Sequence, residues 1–463
     1  MLSLIVGLYL AVLLGIGWWC HRNRISGMTD FLLAGRRLGV PLCAAAMAAT
    51  HFGGGAVIGG ASYGYEHGLS GAWYGIATGI GLLLLALLTA NRFRSLALYT
   101  VPDFLEQRFQ SRTLRVLGAT LSLVALVGIL AAQVSAARAA FAITGLDPTA
   151  AAIVAAIVFV VYTAIGGLWA AAISDLFQLV VAGLGVVFAA IVVLASTADQ
   201  GGMRSLLAST DVGDAYFNLF GAGPALILWL LLPTVMYTLI GQDFDQRLFA
   251  ARSAAVARTS ALVGGVALIV LSVFPVIIGM GARALGGTDD PSQSVPWVLQ
   301  NLVNPLLGGI ILAAILAAIM SSADSLLTSA TSHVVKDLWI ETLHRGREFD
   351  EHRMLRLSRA VTIVVGAAAL VIGLVGPGIV TILIYSYTLY TAGVFVPVMG
   401  GLLWKRGSAA AALSALVIGS AVAIVGIATE FDIAGAPVEV VAALISAVVF
   451  VVSSLVRPEP EQR

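Results

Sequence analysis

Residues 48–55 of the sequence read AATHFGGG and lie inside a long apolar run. Three consecutive glycines weaken a helix by roughly 1 kcal/mol each relative to alanine. Such a stretch is typical either of close helix packing or of a broken helix whose freed carbonyls face a cavity, as in transporter binding sites. The polar residue His51 lies beside the glycines and favours the broken helix.

Apolar runs continue on both sides of this stretch along the whole chain. Of the 463 residues, 59% are hydrophobic and 11% are charged, whereas an ordinary soluble domain has roughly 25% charged residues. A membrane-spanning helix needs about 20 apolar residues, and these runs are too long and too unalternating for a barrel. The sequence therefore predicts an all-α integral membrane protein. We count thirteen spans, at residues 2–19, 40–62, 71–91, 115–143, 149–166, 174–195, 219–240, 257–283, 303–333, 359–375, 379–403, 409–427 and 437–456.

Lys and Arg are distributed unevenly over the predicted loops. If residues 20–39 are cytoplasmic, every second loop is too, and these loops with the C-terminal tail contain 22 of the 25 Lys and Arg residues. By the positive-inside rule the N-terminus is expected outside and the C-terminus in the cytoplasm, so we predict a multi-pass protein of the cell membrane. Arg138 is one of the exceptions, and it either snorkels to the outer surface or attracts an anionic solute.

Composition and motifs argue against several other classes of protein. The net charge is +1, so no overall field points to nucleic acid. The two cysteines, Cys20 and Cys43, are interpreted as buried, inert thiols. We find no phosphate loop ending in Gly-Lys-Ser/Thr, no Cys/His cluster for haem or a redox metal, and no nucleophile–base pair. The sequence therefore predicts no ATPase, no enzyme and no cofactor, and a membrane-bound sensor would need an attached signalling domain.

A polar cluster interrupts the ninth apolar run, where residues 318–325 read AIMSSADS. Ser321, Asp324 and Ser325 share one helix face at i, i+3 and i+4. Isolated serines in membranes usually bond back to their own helix, but polar groups inside spans are costly and functional by default. Hydroxyl and carboxylate oxygens are hard ligands, so this cluster predicts a site for a small alkali cation.

Further polar clusters each have two interpretations. Asp175, at the start of the sixth run, is either a helix cap or a site residue. Residues 241–247, GQDFDQR, form either a cytoplasmic loop paired by salt bridges or part of a site. Tyrosine and hydroxyl residues occur before this segment and again at 385–391, where they suit either packing or a solute pocket and its gate.

Four segments in order resemble the sodium:solute symporter family, and the resemblance covers roughly residues 1–455. They are DFLLAGR at 30–36, the segment from Thr163 to Leu168 with Asp175 and Gln178, QDFDQR at 242–247, and the cluster at 318–325. The resemblance implies a leucine-transporter-like fold, with ten core helices in two inverted five-helix repeats, spans 2–6 and 7–11. It also implies a second helix break near Gly221 to Tyr237.

Four regions follow from this resemblance. Residues 1–39 are expected to form the first transmembrane helix and a cytoplasmic linker, and residues 40–403 the transport core. Residues 404–456 are expected to form two further transmembrane helices, and residues 457–463 a cytoplasmic tail.

The resemblance also implies the coupling-ion site. The family's main sodium site would use backbone carbonyls of Ala49, Phe52 and Ala318. The hydroxyls of Ser321 and Ser322 would complete it. Some members of the family have a second cation site, and the matching residues here are Asp175, Ser325 and Asp324. Asp324 stands where such members have a hydroxyl, and an acidic side chain there could instead carry a proton.

The solute would bind between spans 2, 3, 4, 7 and 11. The matching positions are Thr50, His51, Gly53, Ala56, Tyr74, Thr78, Thr234, Tyr237 and Tyr387. Tyr237 falls where sugar-transporting relatives have an inner gate tyrosine. The local motifs look closest to the choline-transporter branch, but His51 and Gly241 stand where that branch has tryptophans, so its aromatic cage is not retained. The amides of the sugar branch are also missing.

The functional expectation is secondary active transport: symport of a small organic solute into the cell, coupled to Na+, by alternating access across the lipid bilayer. Two alternatives share the fold. A proton-coupled symporter would titrate Asp175, Asp324 or His51, and an uncoupled facilitator or channel would show no uphill accumulation.

Overall fold

The computed structural model describes residues 2–141, 147–208, 212–375, 379–429 and 436–456, so the expected tail at 457–463 lies outside the described residues. Within these ranges the secondary structure is helical apart from one isolated parallel bridge between Leu38 and Ala251. The predicted all-α class is confirmed. The α-helices are α1 (Leu2–Arg24), α2 (Met28–Leu33), α3 (Val40–His51), α4 (Gly60–His67), α5 (Trp73–Leu88), α6 (Ala90–Ser95), α7 (Val101–Phe109), α8 (Arg112–Phe141), α9 (Pro148–Ala198), α10 (Met203–Leu207), α11 (Gly223–Thr238), α12 (Gln242–Ala250), α13 (Ala254–Leu271), α14 (Val273–Ala284), α15 (Ser294–Asn301), α16 (Pro305–Ser332), α17 (Glu351–Val375), α18 (Ile379–Leu403), α19 (Ala409–Thr429) and α20 (Val438–Val456). Short 3-10 helices occupy Ala34–Arg36, Gly68–Ala72, Asp214–Phe217 and Pro291–Gln293, and π-helices occupy Gly55–Gly59 and His333–Leu343.

The number of spans is smaller than thirteen when each continuous helix counts once. Among the described residues, ten helices are long and apolar enough to cross a membrane, or eleven if the bent pair α11 and α12 is one span. The count of thirteen is therefore not confirmed. The difference has two origins. The predicted runs 149–166 and 174–195 both fall within α9, which counts as one helix although Gly167 breaks it. Helix α3, which ends at the glycine run, has only 12 residues and is too short to count.

The first helix break is where AATHFGGG predicted it. Helix α3 ends at His51, and Phe52 has ψ 57°, outside the helical region. The Gly53 N–H turns back to the His51 carbonyl at 2.7 Å. The chain then resumes as a π-helix at Gly55, which runs into α4. The glycines permit this path because they have no side chain to clash with the neighbouring helices.

The second break lies a few residues beyond its expected position. The resemblance placed it near Gly221 to Tyr237, whereas α11 continues through this region to Thr238 and the chain bends by 43° into α12. Pro233 is tolerated inside α11. The bend itself falls at residues 239–241, where the Gly241 N–H donates to the Tyr237 carbonyl at 2.7 Å.

A third break divides α9, at Gly167 (φ 51°, ψ −150°). A β-carbon there would lie 2.4 Å from the carbonyl oxygen of Phe31 in α2, so only glycine fits both the conformation and the contact. Asp175 lies two turns beyond this break and is fully buried. The interpretation of Asp175 as a helix cap is therefore wrong.

Helix α16 is the most deeply buried long helix among the described spans. In its most apolar 18-residue window 83% of the residues are buried inside the protein, against 28% for α20. It packs against α9, α8 and α3. The exposed apolar side chains of peripheral helices, such as Leu444 and Val448 of α20, suit a hydrocarbon environment. Polar residues on α16 therefore face protein, where they can form a site.

One end of α16 continues as the π-helix His333–Leu343. This extension is fixed by a buried ion cluster. The guanidinium of Arg115 contacts the carboxylates of Asp103, Glu106 and Asp337. His333 lies 2.8 Å from the second oxygen of Asp337. The cluster joins α7, α8 and the end of α16 into one rigid corner.

Candidate functional site

A cavity of about 480 Å³ lies beside the first helix break. Its walls come from the broken segment after α3, from α5 and α8, from the bent pair α11 and α12, and from α18 and α20. The lining includes most of the residues proposed for the solute, namely Thr50, His51, Ala56, Tyr74, Thr78, Thr234, Tyr237 and Tyr387. Gly53 does not line it and lies behind the wall.

The serine pair of α16 lies against the carbonyl end of α3. The Ser321 hydroxyl is 3.2 Å from the Ala49 carbonyl oxygen and 2.9 Å from that of Ala318. The Ser322 hydroxyl lies 3.2 Å from the same Ala49 oxygen. Four of the five oxygens assigned to sodium by resemblance are thus gathered between the two helices.

Phe52 provides the fifth of these oxygens. Its carbonyl belongs to the peptide that leads into Gly53, and a β-carbon on Gly53 would lie 2.1 Å from the Ser322 hydroxyl oxygen. This peptide therefore runs directly against the serine pair. Since Phe52 is outside the helical conformation, its carbonyl is released from the regular ladder of α3.

The proposed second cation site is a separate buried cluster, one turn further along α16. Asp324 accepts hydrogen bonds from the Tyr162 hydroxyl at 2.5 Å and from the Ser174 hydroxyl at 3.2 Å. Ser325 receives the Thr50 hydroxyl at 3.0 Å and one guanidinium nitrogen of Arg247 at 2.5 Å. The cluster thus connects α9, α12 and α16.

Asp175 completes this cluster, and its carboxyl group lies against that of Asp324. Both of its carboxylate oxygens are buried and have no hydrogen-bond partner among the described residues, and the Arg247 guanidinium lies 3.9 Å away. Because Asp175 and Asp324 share one nearby arginine, the cluster has room for one more positive charge.

Residues 242–250 form a buried helix, so the interpretation of GQDFDQR as an exposed loop is wrong. Every residue of α12 is buried. Gln246 donates from its side-chain amide to the Ser332 hydroxyl at 2.7 Å and accepts from Ser329 at 2.8 Å. This polar segment can be buried because its polar groups form hydrogen bonds with α16 instead of with water.

One part of the cavity wall consists of aromatic rings and one carboxylate. The Tyr237 hydroxyl donates to Asp243 at 3.0 Å. The Tyr237 ring meets the edge of the Tyr387 ring, with centroids 4.5 Å apart. On the opposite wall the Thr78 hydroxyl lies 3.1 Å from a ring nitrogen of His51. Tyr237 is thus a residue of the cavity wall that contacts both Asp243 and Tyr387.

Several lining residues were missing from the site proposed on sequence. They are Tyr63, Gln133, Trp229, Asp243, Tyr385 and Glu439. Gln133 could have been found, because a glutamine in a span is costly unless it is used. Asp243 was hidden by the loop interpretation of its segment. Glu439 opens the last helix, where a carboxylate is ordinary helix-terminal chemistry, so no pattern singled it out.

Comparison with known proteins identifies the family of the chain. The family model of the sodium:solute symporter family matches residues 31–419. The sodium/pantothenate symporter of Escherichia coli (strain K12) is 28% identical over 432 residues, covering 89% of this chain and 87% of that protein. The high-affinity proline transporter of Bacillus subtilis (strain 168) is 27% identical over 424 residues, covering 89% of each.

The fold is also similar to a solved structure, that of a Na+-coupled sialic acid symporter in a substrate-bound outward-open state. The TM-score is 0.88 at 17% identity, with 100% of this chain and 99% of that chain covered. The chain therefore belongs to the sodium:solute symporter family: it is a sodium-coupled transporter of a small solute with a leucine-transporter-like fold in a membrane, and not an enzyme.

Proposed function

We propose that the coupling sodium ion binds between α3 and α16, on the carbonyls of Ala49, Phe52 and Ala318 and the hydroxyls of Ser321 and Ser322. The observation behind this proposal is the convergence of both serine hydroxyls on the Ala49 carbonyl, each at 3.2 Å. Five neutral oxygens are hard ligands, which suits an alkali cation. The ion would take over the carbonyl lone pairs that the hydroxyls now occupy.

The ion and the solute would share one wall. Ser322 belongs to the proposed sodium ligands and also lines the cavity. An ion bound there holds the first helix break in place, and that break forms the solute wall. Coupling is reciprocal, so the solute raises the affinity for sodium by the same factor. Residues 40–403 would form the transport core, which supplies the sodium ligands and most of the cavity wall, and α19 and α20 would complete that wall.

The orientation implied by the charge distribution makes this cavity outward-facing. Its lining reaches Gly426 at the end of α19 and Glu439 at the start of α20. Both lie beside a loop expected outside the cell when the N-terminus is outside. The pair of Tyr237 and Asp243 closes the opposite, cytoplasmic end. Sodium entering from outside would stabilise this state, and closure over the solute would precede opening inward.

The driving force follows from charge and gradient. One sodium ion moving inward across about 100 mV contributes roughly 2.3 kcal/mol, in addition to its concentration gradient. The ion leaves readily on the cytoplasmic side, where its concentration is low. The solute bound in the same state is then released.

A second coupling cation is supported by the cluster of Asp175, Asp324 and Ser325. The observation that favours it is the pair of unbonded, buried oxygens of Asp175. A second Na+ or a proton would each neutralise the charge that Arg247 leaves uncompensated. A proton-coupled symporter is for this reason the second candidate function.

Purified protein in liposomes tests these proposals. Radiolabelled pantothenate, proline and sialic acid, the solutes named for the proteins compared above, provide the first panel for uptake together with glucose and choline. We expect uptake of the transported solute to require sodium in the medium and to exceed its external concentration under an inward sodium gradient. Uptake that is unchanged when potassium replaces sodium would contradict sodium coupling. Uptake driven by a pH gradient alone would assign the coupling to protons, and uptake without accumulation would indicate a facilitator.

A further inference from the structure

The charges that line the cavity are of one sign. Among the lining residues in the described ranges, Asp243 and Glu439 are acidic and none is lysine or arginine. Neither carboxylate forms an ion pair with another described residue. Arg138, which the sequence suggested as an attractor of anions, instead donates to the Leu374 carbonyl at 3.3 Å and does not line the cavity.

The two carboxylates lie at different depths in the cavity. Asp243 lies at the closed end, is 3% exposed, and accepts the Tyr237 hydroxyl at 3.0 Å besides the backbone N–H groups of Asp243 and Phe244. Glu439 is half-buried near the ends of α19 and α20 and accepts the Thr388 hydroxyl at 3.1 Å. A cation entering the cavity meets Glu439 first and Asp243 last.

Aromatic rings line the cavity between these carboxylates. Tyr74 lies 5.4 Å from His51 and 5.6 Å from Tyr63, measured between ring centroids. Tyr237 and Tyr387 form a second pair at the closed end. The faces of aromatic rings attract cations, and they do so more strongly where water is excluded. Rings and carboxylates thus favour the same kind of ligand.

The site offers little to a carboxylate group of a ligand. The start of the resumed helix is the natural anion-binding position in such a fold, because free N–H groups point into the cavity. Here the Gly54 N–H donates to the side-chain oxygen of Gln133 at 3.2 Å, and the Gly53 N–H donates to the His51 carbonyl. Two of these donors are therefore already used within the protein.

We propose that the transported solute is a small organic amine with a net positive charge, whose ammonium group binds Asp243 between the tyrosine rings. This inference rests on the proposed function of the cavity as the solute site. It departs from a tryptophan cage for quaternary ammonium, since His51 and Gly241 stand at two of those positions. An N–H-bearing ammonium has donors that the Asp243 carboxylate can accept.

A thermal-shift assay on the full-length protein in detergent tests this proposal with matched compounds. Putrescine, ethanolamine and choline are compared with their uncharged isosteres 1,4-butanediol, ethylene glycol and 3,3-dimethylbutan-1-ol. Proline represents zwitterions, pantothenate represents anions and glucose represents neutral polar solutes. Each compound is measured in sodium chloride and in potassium chloride. We expect putrescine or ethanolamine, whose ammonium groups carry N–H donors, to raise the melting temperature more than choline does, and no uncharged isostere to raise it.

Two variants locate the effect. Asp243→Asn keeps the shape of the site and mimics a protonated carboxyl, and we expect it to weaken the affinity for the amine by about 30-fold or more. Glu439→Gln is expected to cause a smaller loss, about 3-fold, that fades at high ionic strength. Glu66→Gln is the control, because Glu66 is exposed and does not line the cavity.

The outcomes separate this proposal from the proposed sodium site. If sodium alone still raises the melting temperature of the Asp243→Asn variant, that variant is folded and its ion site is intact. If proline, pantothenate or glucose shifts the melting temperature and no amine does, the amine proposal is wrong while sodium symport stands. An amine shift that survives Asp243→Asn, or no shift with any amine in either salt, also overturns it. An amine shift of equal size in both salts would support the amine and contradict the sodium site.

Discussion

The hydroxyl of Ser322 lies 3.2 Å from the carbonyl oxygen of Ala49, although 273 residues separate them in the chain. This contact bridges α16, the most buried helix, and the end of α3, where the helix breaks. A change in the backbone conformation at the break therefore alters the contact with Ser322 directly. Alternating access needs such a contact, because an ion bound there can bias the arrangement of two helices.

Replacing either serine by alanine should weaken sodium binding. Ser322→Ala and Ser321→Ala each remove one proposed ligand, and we expect the sodium concentration for half-maximal uptake to rise by about 10-fold or more, since one polar contact contributes roughly 1.5–3 kcal/mol when a charge is involved. Ser446→Ala is the control, because this buried serine donates to the Ala415 carbonyl of α19. Equal effects in all three variants would contradict the assignment.

The glycine at the break can be tested without removing any oxygen. A β-carbon on Gly53 would lie 2.1 Å from the Ser322 hydroxyl oxygen, so Gly53→Ala should push α3 and α16 apart. We expect a loss of sodium affinity and a stability loss of about 1–3 kcal/mol, as for overpacked cores. Gly59→Ala is the matched control, because nothing lies within 4 Å of its β-carbon position. Sodium titrations monitored by melting temperature would show both effects, and a Gly53→Ala protein with normal sodium affinity would contradict this packing.

Asp324 should report on the second coupling cation. In Asp324→Asn the Tyr162 and Ser174 hydroxyls keep an acceptor, but one negative charge is lost. We expect the Hill coefficient for sodium in uptake to fall toward 1, because the remaining Asp175 is balanced by Arg247. An unchanged Hill coefficient combined with a lost dependence on external pH would assign this carboxylate to a proton instead.

The hydroxyl of Tyr237 should hold the inner end of the cavity closed. Tyr237→Phe removes the hydrogen bond to Asp243 and keeps the contact with the Tyr387 ring. We expect sodium to leak inward in the absence of solute, because the inner end opens more often. Tyr385→Phe, at an exposed tyrosine of the same cavity, is the control. Radioactive sodium flux into liposomes measures the difference, and equal flux in wild type and Tyr237→Phe would place the gate elsewhere.

The Arg115 cluster should matter for stability rather than for transport chemistry. Arg115→Met leaves three carboxylates without their shared cation, and two of them are at least 94% buried. Breaking a buried ion pair from one side costs roughly 3–5 kcal/mol. We expect a lower melting temperature that sodium does not restore. Arg204→Met, at a pair whose side chains are 70% and 90% exposed, should leave it unchanged. Similar shifts in both variants would contradict the structural role.

The glycine run and the serine pair could be interpreted from sequence because their physics is local. Three consecutive glycines have a low propensity for helix, and the structure shows the break just before them, at Phe52. Adjacent hydroxyls in an apolar helix need partners. Which partner they find depends on a helix far away in the chain, so the contact with Ala49 came only through the family resemblance.

Other features depended on tertiary packing that no local pattern reveals. Residues 242–250 look like a charged loop, yet they are buried because α16 supplies hydroxyls for Gln246 and Arg247. Asp175 looked like a cap because the sixth apolar run begins at residue 174, whereas the helix already resumes after Gly167. The count of thirteen spans is not confirmed, since hydropathy does not show where a continuous helix bends.

The contacts of the first helix have a consequence for how the protein is made. Its Gly17 lies against Tyr162 of α9, and its Tyr9 hydroxyl accepts the Gln178 amide at 2.7 Å. Tyr162 in turn holds Asp324. Helix α1 thus forms part of the surface against which α9 and the cation cluster pack. A variant whose α1 no longer makes these contacts should still insert into the membrane, but its cation cluster should assemble less completely.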